Sequence, residues 1–396
     1  MKLAARTNVF TESVIREMTR LAMQYGAVNL AQGYPDFPAP EELKQAGVAA
    51  IEADHNQYTI TWGARQLREA LSEKLRRFNG IAADPETEIT VTCGATEAMM
   101  ATMLALIEPG DEVIVFEPFY ENYVPDAALA GARLVFVPLR PPTYRFDPDE
   151  LHAAFSPRTR AIVVNTPNNP SGRVFTREEL QTIAALCQER EIIAITDEIY
   201  EHIIFDGRRH ISLASLPGMA ERTVTISGFS KTFSVTGWRL GYIAAPAPLM
   251  AGIRKVHDFL TVCAPAPLQE AAMRALALPE RFYIDLVEAY ARKRDLLRAA
   301  LLAAGFRCVE PEGAYYIMAD ISPITDLDDT SFAHYLVREI GVAAVPGSSF
   351  HSRQELGRSY LRFTFSKSEE TLQRAAERLL ALRAAPRAAG GATHRA

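Results

Sequence analysis

The chain of 396 residues is poor in the features that announce a metal, a disulfide frame or a membrane. Its four cysteines, Cys93, Cys187, Cys263 and Cys308, form no CxxC pair, which argues against both a disulfide framework and a zinc site. The eight histidines make no HExxH pair, so no metal is expected. No apolar run approaches the roughly 20 residues of a membrane span, and MKLAARTNVFTES carries no apolar leader core. A cytoplasmic protein without a membrane partner is expected. A net charge of −6 leaves no broad basic footprint, which argues against nucleic acid as a partner. No internal repeat is visible. What is present looks globular: 48% hydrophobic and 23% charged residues lie near the soluble average, and the length suits two domains better than one core.

Hydrophobic periodicity organises the chain. An amphipathic helix is expected over 13–25, followed by AQGYPDFPAP (31–40), where three prolines and a glycine forbid regular structure. Helices over 41–53 and 63–78 flank the irregular NQYTITWG. Strand-like runs then recur at 88–93, 112–116, 133–139, 161–165, 192–196, 223–226 and 240–244, with helices between them such as 96–107 and 176–190. That alternation predicts an α/β fold with a largely parallel, seven-stranded sheet covered on both faces. Long helices are expected at 248–278 and 282–304, then a smaller α+β unit with strands at 315–319 and 361–365 and helices at 331–340 and 368–383. The domain reading is 1–40 as an N-terminal arm and part of the small domain, 41–282 as the large domain, 283–385 as the small domain and 386–396 as a disordered tail.

The most informative stretch is TVTISGFSKTFSVTGWRLGY (223–242). It sets Lys231 among small hydroxylated residues, with Arg239 eight positions on. A desolvated lysine has a lowered pKa and can form a Schiff base, while hydroxyls and a guanidinium suit a phosphate. Together they ask for a phosphorylated aldehyde, pyridoxal phosphate. Other strand ends supply candidates. Gly94, Ala95 and Thr96 open a helix whose free amides suit an anion. Tyr120 of EPFYENY offers a flat ring, Asn169 of TPNNPSG an oxygen donor, Asp197 of TDEIY a partner for a protonated ring nitrogen, and Tyr200 a hydroxyl. Taken singly each has an ordinary reading: a helix cap for Thr96 and Asp197, a turn for Asn169, core packing for Tyr120, a solvated surface for Lys231. Taken together, at the carboxyl ends of one sheet, they describe one crevice.

With these motifs in view, the chain resembles class I/II aminotransferases of pyridoxal phosphate fold type I. The resemblance runs from NLAQGYPDFP through CGATEA, NTPNNPSG and SGFSKTFSVTGWRLGY to LRFTFSKSEETL. It is nearest the kynurenine, glutamine and methionine aminotransferase branch and is also similar to N-succinyldiaminopimelate aminotransferases. The resemblance implies that Lys231 holds pyridoxal 5′-phosphate covalently, Asp197 pairs with its ring nitrogen, and Asn169 and Tyr200 bind its ring oxygen. Gly94, Ala95, Thr96, Ser230 and Arg239 would hold the phosphate, Tyr120 would stack on the ring, and Tyr58 would reach the phosphate from the other subunit of a homodimer. Arg362 would grip the substrate α-carboxylate, with the Gly33 backbone beside it and Tyr123 lining the side-chain pocket. Gly228 stands where many relatives have serine three residues before the lysine, with Ser227 one earlier.

The implied activity is ping-pong transfer of an α-amino group from an L-amino acid to a 2-oxo acid. One group of aspartate aminotransferases has lysine where Thr96 stands, which disfavours strict aspartate specificity. Tyr34, Phe37, Trp62, Tyr120 and Tyr123 point to a pocket for methionine, phenylalanine, glutamine or kynurenine. The rival readings are a carbon–sulfur β-lyase on the same lysine and an N-succinyldiaminopimelate or aspartate-type aminotransferase. A transcription regulator with an aminotransferase-like domain is disfavoured because no basic recognition helix is present.

Overall fold

The structure, a computed structural model, describes residues 3–10 and 12–383. The tail expected over 386–396 lies outside the described residues. In chain order the elements are α1 (Val14–Tyr25), β1 (Val28–Asn29), α2 (Glu41–Glu52), α3 (Arg65–Lys74), β2 (Ile89–Thr92), α4 (Gly94–Leu106), β3 (Glu112–Glu117), α5 (Tyr123–Ala130) and β4 (Arg133–Pro138). There follow α6 (Pro148–Ala154), β5 (Thr159–Asn165), α7 (Arg177–Glu189), β6 (Ile193–Asp197), β7 (Thr223–Gly228), β8 (Gly241–Ala244), α8 (Ala247–Thr261) and α9 (Ala266–Leu276). The last third holds α10 (Glu280–Ala304), β9 (Arg307–Cys308), β10 (Tyr316–Asp320), α11 (Asp329–Tyr335), β11 (Val342–Ala343), β12 (Val345–Pro346), α12 (Gln354–Gly357), β13 (Tyr360–Thr364) and α13 (Glu369–Leu379).

Strands β2 to β8 form one sheet in the order β2-β8-β7-β6-β5-β3-β4, parallel throughout except for β8, which runs antiparallel to both neighbours. Alternation along each strand feeds two cores. Ile114, Phe116, Ile162 and Val164 join one apolar cluster, while Val113, Val115, Ala161 and Val163 join another. Both faces are therefore covered, which is why these strands read as nearly unbroken apolar runs. A four-stranded antiparallel sheet (β12-β13-β10-β9) and the pair β1-β11 form the smaller unit, whose core also takes up α1 and the part of α10 from Tyr290 onward.

Local chemistry explains the boundaries. The Ser13 hydroxyl caps α1 by accepting from the Arg16 amide, and Thr176 with Glu179 makes a full capping box on α7. The single helix expected over 248–278 is in fact two. Pro265 cannot continue a helix, and Val262 takes a left-handed φ of 66° that closes α8. The expected strand at 315–319 and helix at 331–340 are present in substance, the latter ending in a wider turn over Leu336–Ile340.

Candidate active site

The register between β5 and β6 sets Asn165 beside Asp197 at the carboxyl edge of the sheet. Around that edge one cavity is lined by Ala95, Thr96, Tyr120, Asn169, Asp197, Tyr200, Ser230, Lys231, Arg239 and Arg362, with Gly33 and Tyr123 on the same wall. Five strand ends, those of β2, β3, β5, β6 and β7, thus deliver their expected residues to one place.

The anion end lies where β2 runs into α4. Gly94 has φ +80°, and a Cβ there would stand 2.5 Å from an Arg239 guanidinium nitrogen. Gly241 on β8 is equally crowded, since its Cβ would meet the Gly94 carbonyl carbon at 2.5 Å and the Ala95 amide nitrogen at 2.6 Å. Glycine at both positions lets the Arg239 side chain lie across the first amides of α4, and its guanidinium donates to the Thr96 hydroxyl at 3.5 Å. Arg239 itself sits at φ 54°, an uncommon region for a branched-out side chain and a typical place for strain at a functional site. Ser227 is elsewhere: its hydroxyl donates to Glu201 at 2.7 Å. Gly228 has no room for a side chain either, with the Leu240 carbonyl 2.8 Å from the position of a Cβ. Neither residue supplies a serine hydroxyl to the anion end.

At the centre, Lys231 donates to the Gly33 carbonyl at 3.4 Å. Burial, helped by the nearby Arg239 charge, pulls its amine down to about 8. Asp197 is buried, accepts from the Tyr123 hydroxyl at 2.7 Å, and is pushed up because burial penalises its charge. A buried carboxyl of this kind is relieved by a cation. Tyr123 was expected to line the side-chain pocket; its ring does reach the cavity, but its hydroxyl is committed to Asp197. Tyr120 packs edge-on against Tyr123 with centroids 5.8 Å apart. The Tyr200 hydroxyl pairs with that of Tyr316 at 3.1 Å.

Arg362 on β13 is 1% exposed and lies between the rings of Tyr316 and Phe350, 4.2 and 4.8 Å from their centroids. One terminal nitrogen donates to Asn169 Oδ1 at 2.8 Å and the other to the Ala31 carbonyl at 2.8 Å, while Nε has no partner. The Asn169 carbonyl oxygen is thereby used, which leaves its amide nitrogen to donate. Gly33 is tightly held: a Cβ there would overlap the Tyr316 hydroxyl, and its carbonyl also accepts from Tyr315 at 2.7 Å.

Four expected residues are not brought to this cavity by their own chain. Tyr58 is 80% exposed. Tyr34 lies under Lys367, Phe37 packs on Tyr290 and Lys293, and Trp62 lies against Arg254. In their place the mouth is built by Ser13, Ile15 and Arg16 at the start of α1, with Gln32, Glu121 and Tyr316. Only the amphipathic pattern of α1 was visible beforehand; nothing local signals that its first turn faces a cavity.

The described residues also hold one group of metal-ligand type, Glu198, Glu201 and His210, whose ligand atoms lie within 4.8 Å of one another. Their carboxylates already have protein partners. Glu201 pairs with Lys74 at 2.6 Å and accepts from Ser227, Asn79 and Tyr242, while Glu198 accepts from Thr196 and Ser212 and meets His210 at 2.6 Å. This buried network braces the turn that carries Asp197 from behind.

The donor set fits pyridoxal 5′-phosphate: a depressed lysine amine, a buried carboxyl that seeks a cation, glycines that clear an anion cradle, and a guanidinium with an unused nitrogen. Comparison with known proteins agrees. A family model described as aminotransferase class I and II matches residues 25–379. The chain is 41% identical over 392 residues to the probable N-succinyldiaminopimelate aminotransferase DapC of Mycobacterium tuberculosis, covering 96% of this chain and 99% of that one. The solved structure of N-succinyldiaminopimelate aminotransferase from Mycobacterium tuberculosis superposes with a TM-score of 0.94 at 42% identity, covering 96% and 100% of the two chains. Methionine aminotransferase of Escherichia coli is 40% identical (94% and 95% covered), and human kynurenine–oxoglutarate transaminase 1 is 38% identical (92% and 94% covered). Sequence span, fold and cavity chemistry converge, and the chain belongs to the class I and II aminotransferases, enzymes that work with pyridoxal 5′-phosphate.

Proposed function

We propose that this aminotransferase takes the α-amino group of L-amino acids with neutral side chains, of the methionine, phenylalanine, glutamine or kynurenine kind, and passes it to a 2-oxo acid by a ping-pong route. The observation that carries this reading is the meeting of Lys231, Asp197 and Arg362 in one cavity walled by Ile15, Tyr120 and Tyr123. When bound, pyridoxal phosphate supplies an electron sink for the substrate Cα. The chain's own residues do the rest. Arg362 and the Gly33 backbone orient the substrate carboxylate, Asn169 and Tyr200 hold the ring oxygen, and Asp197 keeps the ring nitrogen protonated. Ser230, Arg239 and the amides of Gly94, Ala95 and Thr96 bind the phosphate. Lys231 Nζ would take the substrate Cα proton and return it on the far side of the substrate nitrogen, a role suited to an amine whose pKa lies near the working pH.

An amino-donor screen tests the side-chain reading. We expect kcat/KM for methionine, phenylalanine, glutamine or kynurenine to exceed that for aspartate by at least about tenfold, the scale set by one well-matched apolar contact. A clear preference for aspartate or N-succinyl-diaminopimelate sinks it. A second reading has one observation in its favour: the exposed Arg16 guanidinium stands at the mouth, where it suits a substrate with a distal carboxylate such as that named for the Mycobacterium tuberculosis relative. Release of pyruvate and ammonia from a cysteine conjugate without an amino acceptor would instead mark a β-lyase.

We further propose a cytoplasmic homodimer in which Tyr58 serves the partner's phosphate site. His257 Nε2 meets the Thr61 carbonyl at 2.8 Å, which holds the Tyr58 segment against α8, where Phe259 is 92% exposed. Tyr58 and Ile60 on this segment and Phe259 and Leu260 on α8 are exposed apolar side chains, of the kind that an interface would cover. Mixing Lys231→Ala chains with Tyr58→Ala chains should restore activity, because one site of each mixed dimer is then intact. Failure of mixed dimers to gain activity over either parent would remove the shared-site assignment.

A further inference from the structure

One ionisable group on the cavity wall has no place in the roles given so far. Asp126 lies on α5, three residues after Tyr123 and therefore on the same helix face. It is 3% exposed, lines the cavity, and its Oδ2 is buried without a hydrogen-bond partner. Tyr123 from the same face donates to Asp197 at 2.7 Å, so Asp126 stands behind the residue proposed to meet the ring nitrogen. A carboxyl that is buried, unpaired and turned toward a ligand cavity is costly in the charged form and is seldom kept without a use.

The electrostatics agree with this placement. Burial, with Asp197 as the second cause, holds the Asp126 carboxyl up at about 8. The titratable groups that feel it are Asp197 on β6 and the phenols of Tyr120 and Tyr123. The neighbouring α4 and β4 contribute Met99 and Phe136 to the apolar cluster shared with Tyr123. The positive charge across the cavity that acts on Asp197 is that of Lys231. A cation seated against Asp197 removes the like-charge repulsion and adds an attraction.

We propose that Asp126 is a positioning residue for the ring-nitrogen end of the cofactor: it holds a proton beside Asp197 in the free protein and releases it to solvent when a cation is seated there, so that two carboxylates then face the ring. The step balances as a carboxylic acid giving a carboxylate and one solvent proton. It rests on the assignment of Asp197 to the ring nitrogen made above.

Calorimetric titration of the apoprotein with pyridoxal phosphate, repeated in buffers of different ionisation enthalpy, counts the protons released. Near pH 7 the wild type should release up to about one proton per subunit more than Asp126→Asn, and the difference should vanish above about pH 9, where Asp126 is already ionised. The visible absorbance of the loaded enzyme should titrate at a lower pH in Asp126→Asn, since one negative neighbour of the ring is gone. Apoprotein stability gives a readout independent of the cofactor. A raised folded-state pKa means that the folded chain holds a proton the unfolded chain loses above about pH 4, so wild-type stability falls as pH rises from about 4 to about 8. The Tm gap between Asp126→Asn and wild type should therefore widen over that range, and Asp126→Val should behave alike. Equal proton counts for wild type and variant at every pH overturn the proposal; so does a wild-type count that is flat from pH 6 to pH 9, which needs no variant to fold. The two readings fail separately. If Asp197→Asn takes up the cofactor as tightly as wild type, the ring-nitrogen assignment falls; if Asp197→Asn weakens it and Asp126→Asn shifts nothing, only Asp126 loses its role.

Discussion

Replacing Lys231 by alanine should lower kcat by on the order of 10⁴-fold, the upper end of what a positioned acid/base group contributes, and should add the loss of the covalent link. The amine donates only to the Gly33 carbonyl and is drawn down to about 8 by burial and by Arg239, so it stands ready both to bond a carbonyl and to carry a proton. Among the described residues no second amine lines the cavity; the other basic groups there are the guanidiniums of Arg16, Arg239 and Arg362. The variant should still bind amino acid and cofactor together, because Arg362, Asp197 and the phosphate cradle remain. Small primary amines supplied in solution should restore part of the rate, more so as pH rises and frees their lone pair. A Lys231→Ala enzyme that turns over at the wild-type rate would end the assignment.

Substituting Arg362 by lysine should cost about 10²-fold or more in kcat/KM, carried by KM. Truncating one partner of a buried, hydrogen-bonded charge pair costs about 2–5 kcal/mol, and in the proposed role the substrate carboxylate would be the other partner in both ground and transition states. The geometry explains why lysine is a poor replacement. Two nitrogens of Arg362 are fixed by Asn169 and Ala31 while the plane is clasped between Tyr316 and Phe350. An ammonium cannot satisfy those two acceptors and a bidentate carboxylate from one point. Steady-state kinetics separate the outcomes: an unchanged KM for the amino donor would show that the carboxylate is bound elsewhere.

The large sheet and five of its strand-end residues were legible in the chain because strand, turn and helix signals coincide there with unusual residues. Apolar runs gave the strands, and Gly94, Asn169, Asp197 and Lys231 each follow one. The parts that escaped depend on packing between distant segments. Nothing near Ser13 or Arg16 says that α1 will cross the cavity mouth, and Tyr34, Phe37 and Trp62 look like pocket aromatics until Lys367, α10 and Arg254 claim their surroundings. Asp126 reads as an ordinary acid on a short helix, and only its lost solvent sets it apart. The break in 248–278 is legible in the sequence, since Pro265 cannot continue a helix although the apolar period runs on past it.

The antiparallel strand β8 has a consequence for how the cofactor is retained. Because β7 and β8 run in opposite directions, with Gly228 opposite Gly241, the loop over residues 229–240 starts and ends at the same edge of the sheet. Lys231 stands near one end of that loop and Arg239 near the other. The two handles are thus tethered at a fixed span, like the jaws of a gauge, and a ligand gripped by one meets the other as an intramolecular neighbour at high effective concentration. In the half of the catalytic cycle when Lys231 would be free, Arg239 is the jaw of this loop that would still hold the ligand, together with the other proposed phosphate and ring contacts. On the proposed roles, retention between half-reactions would rest on these noncovalent holds, and the lysine would govern the chemistry.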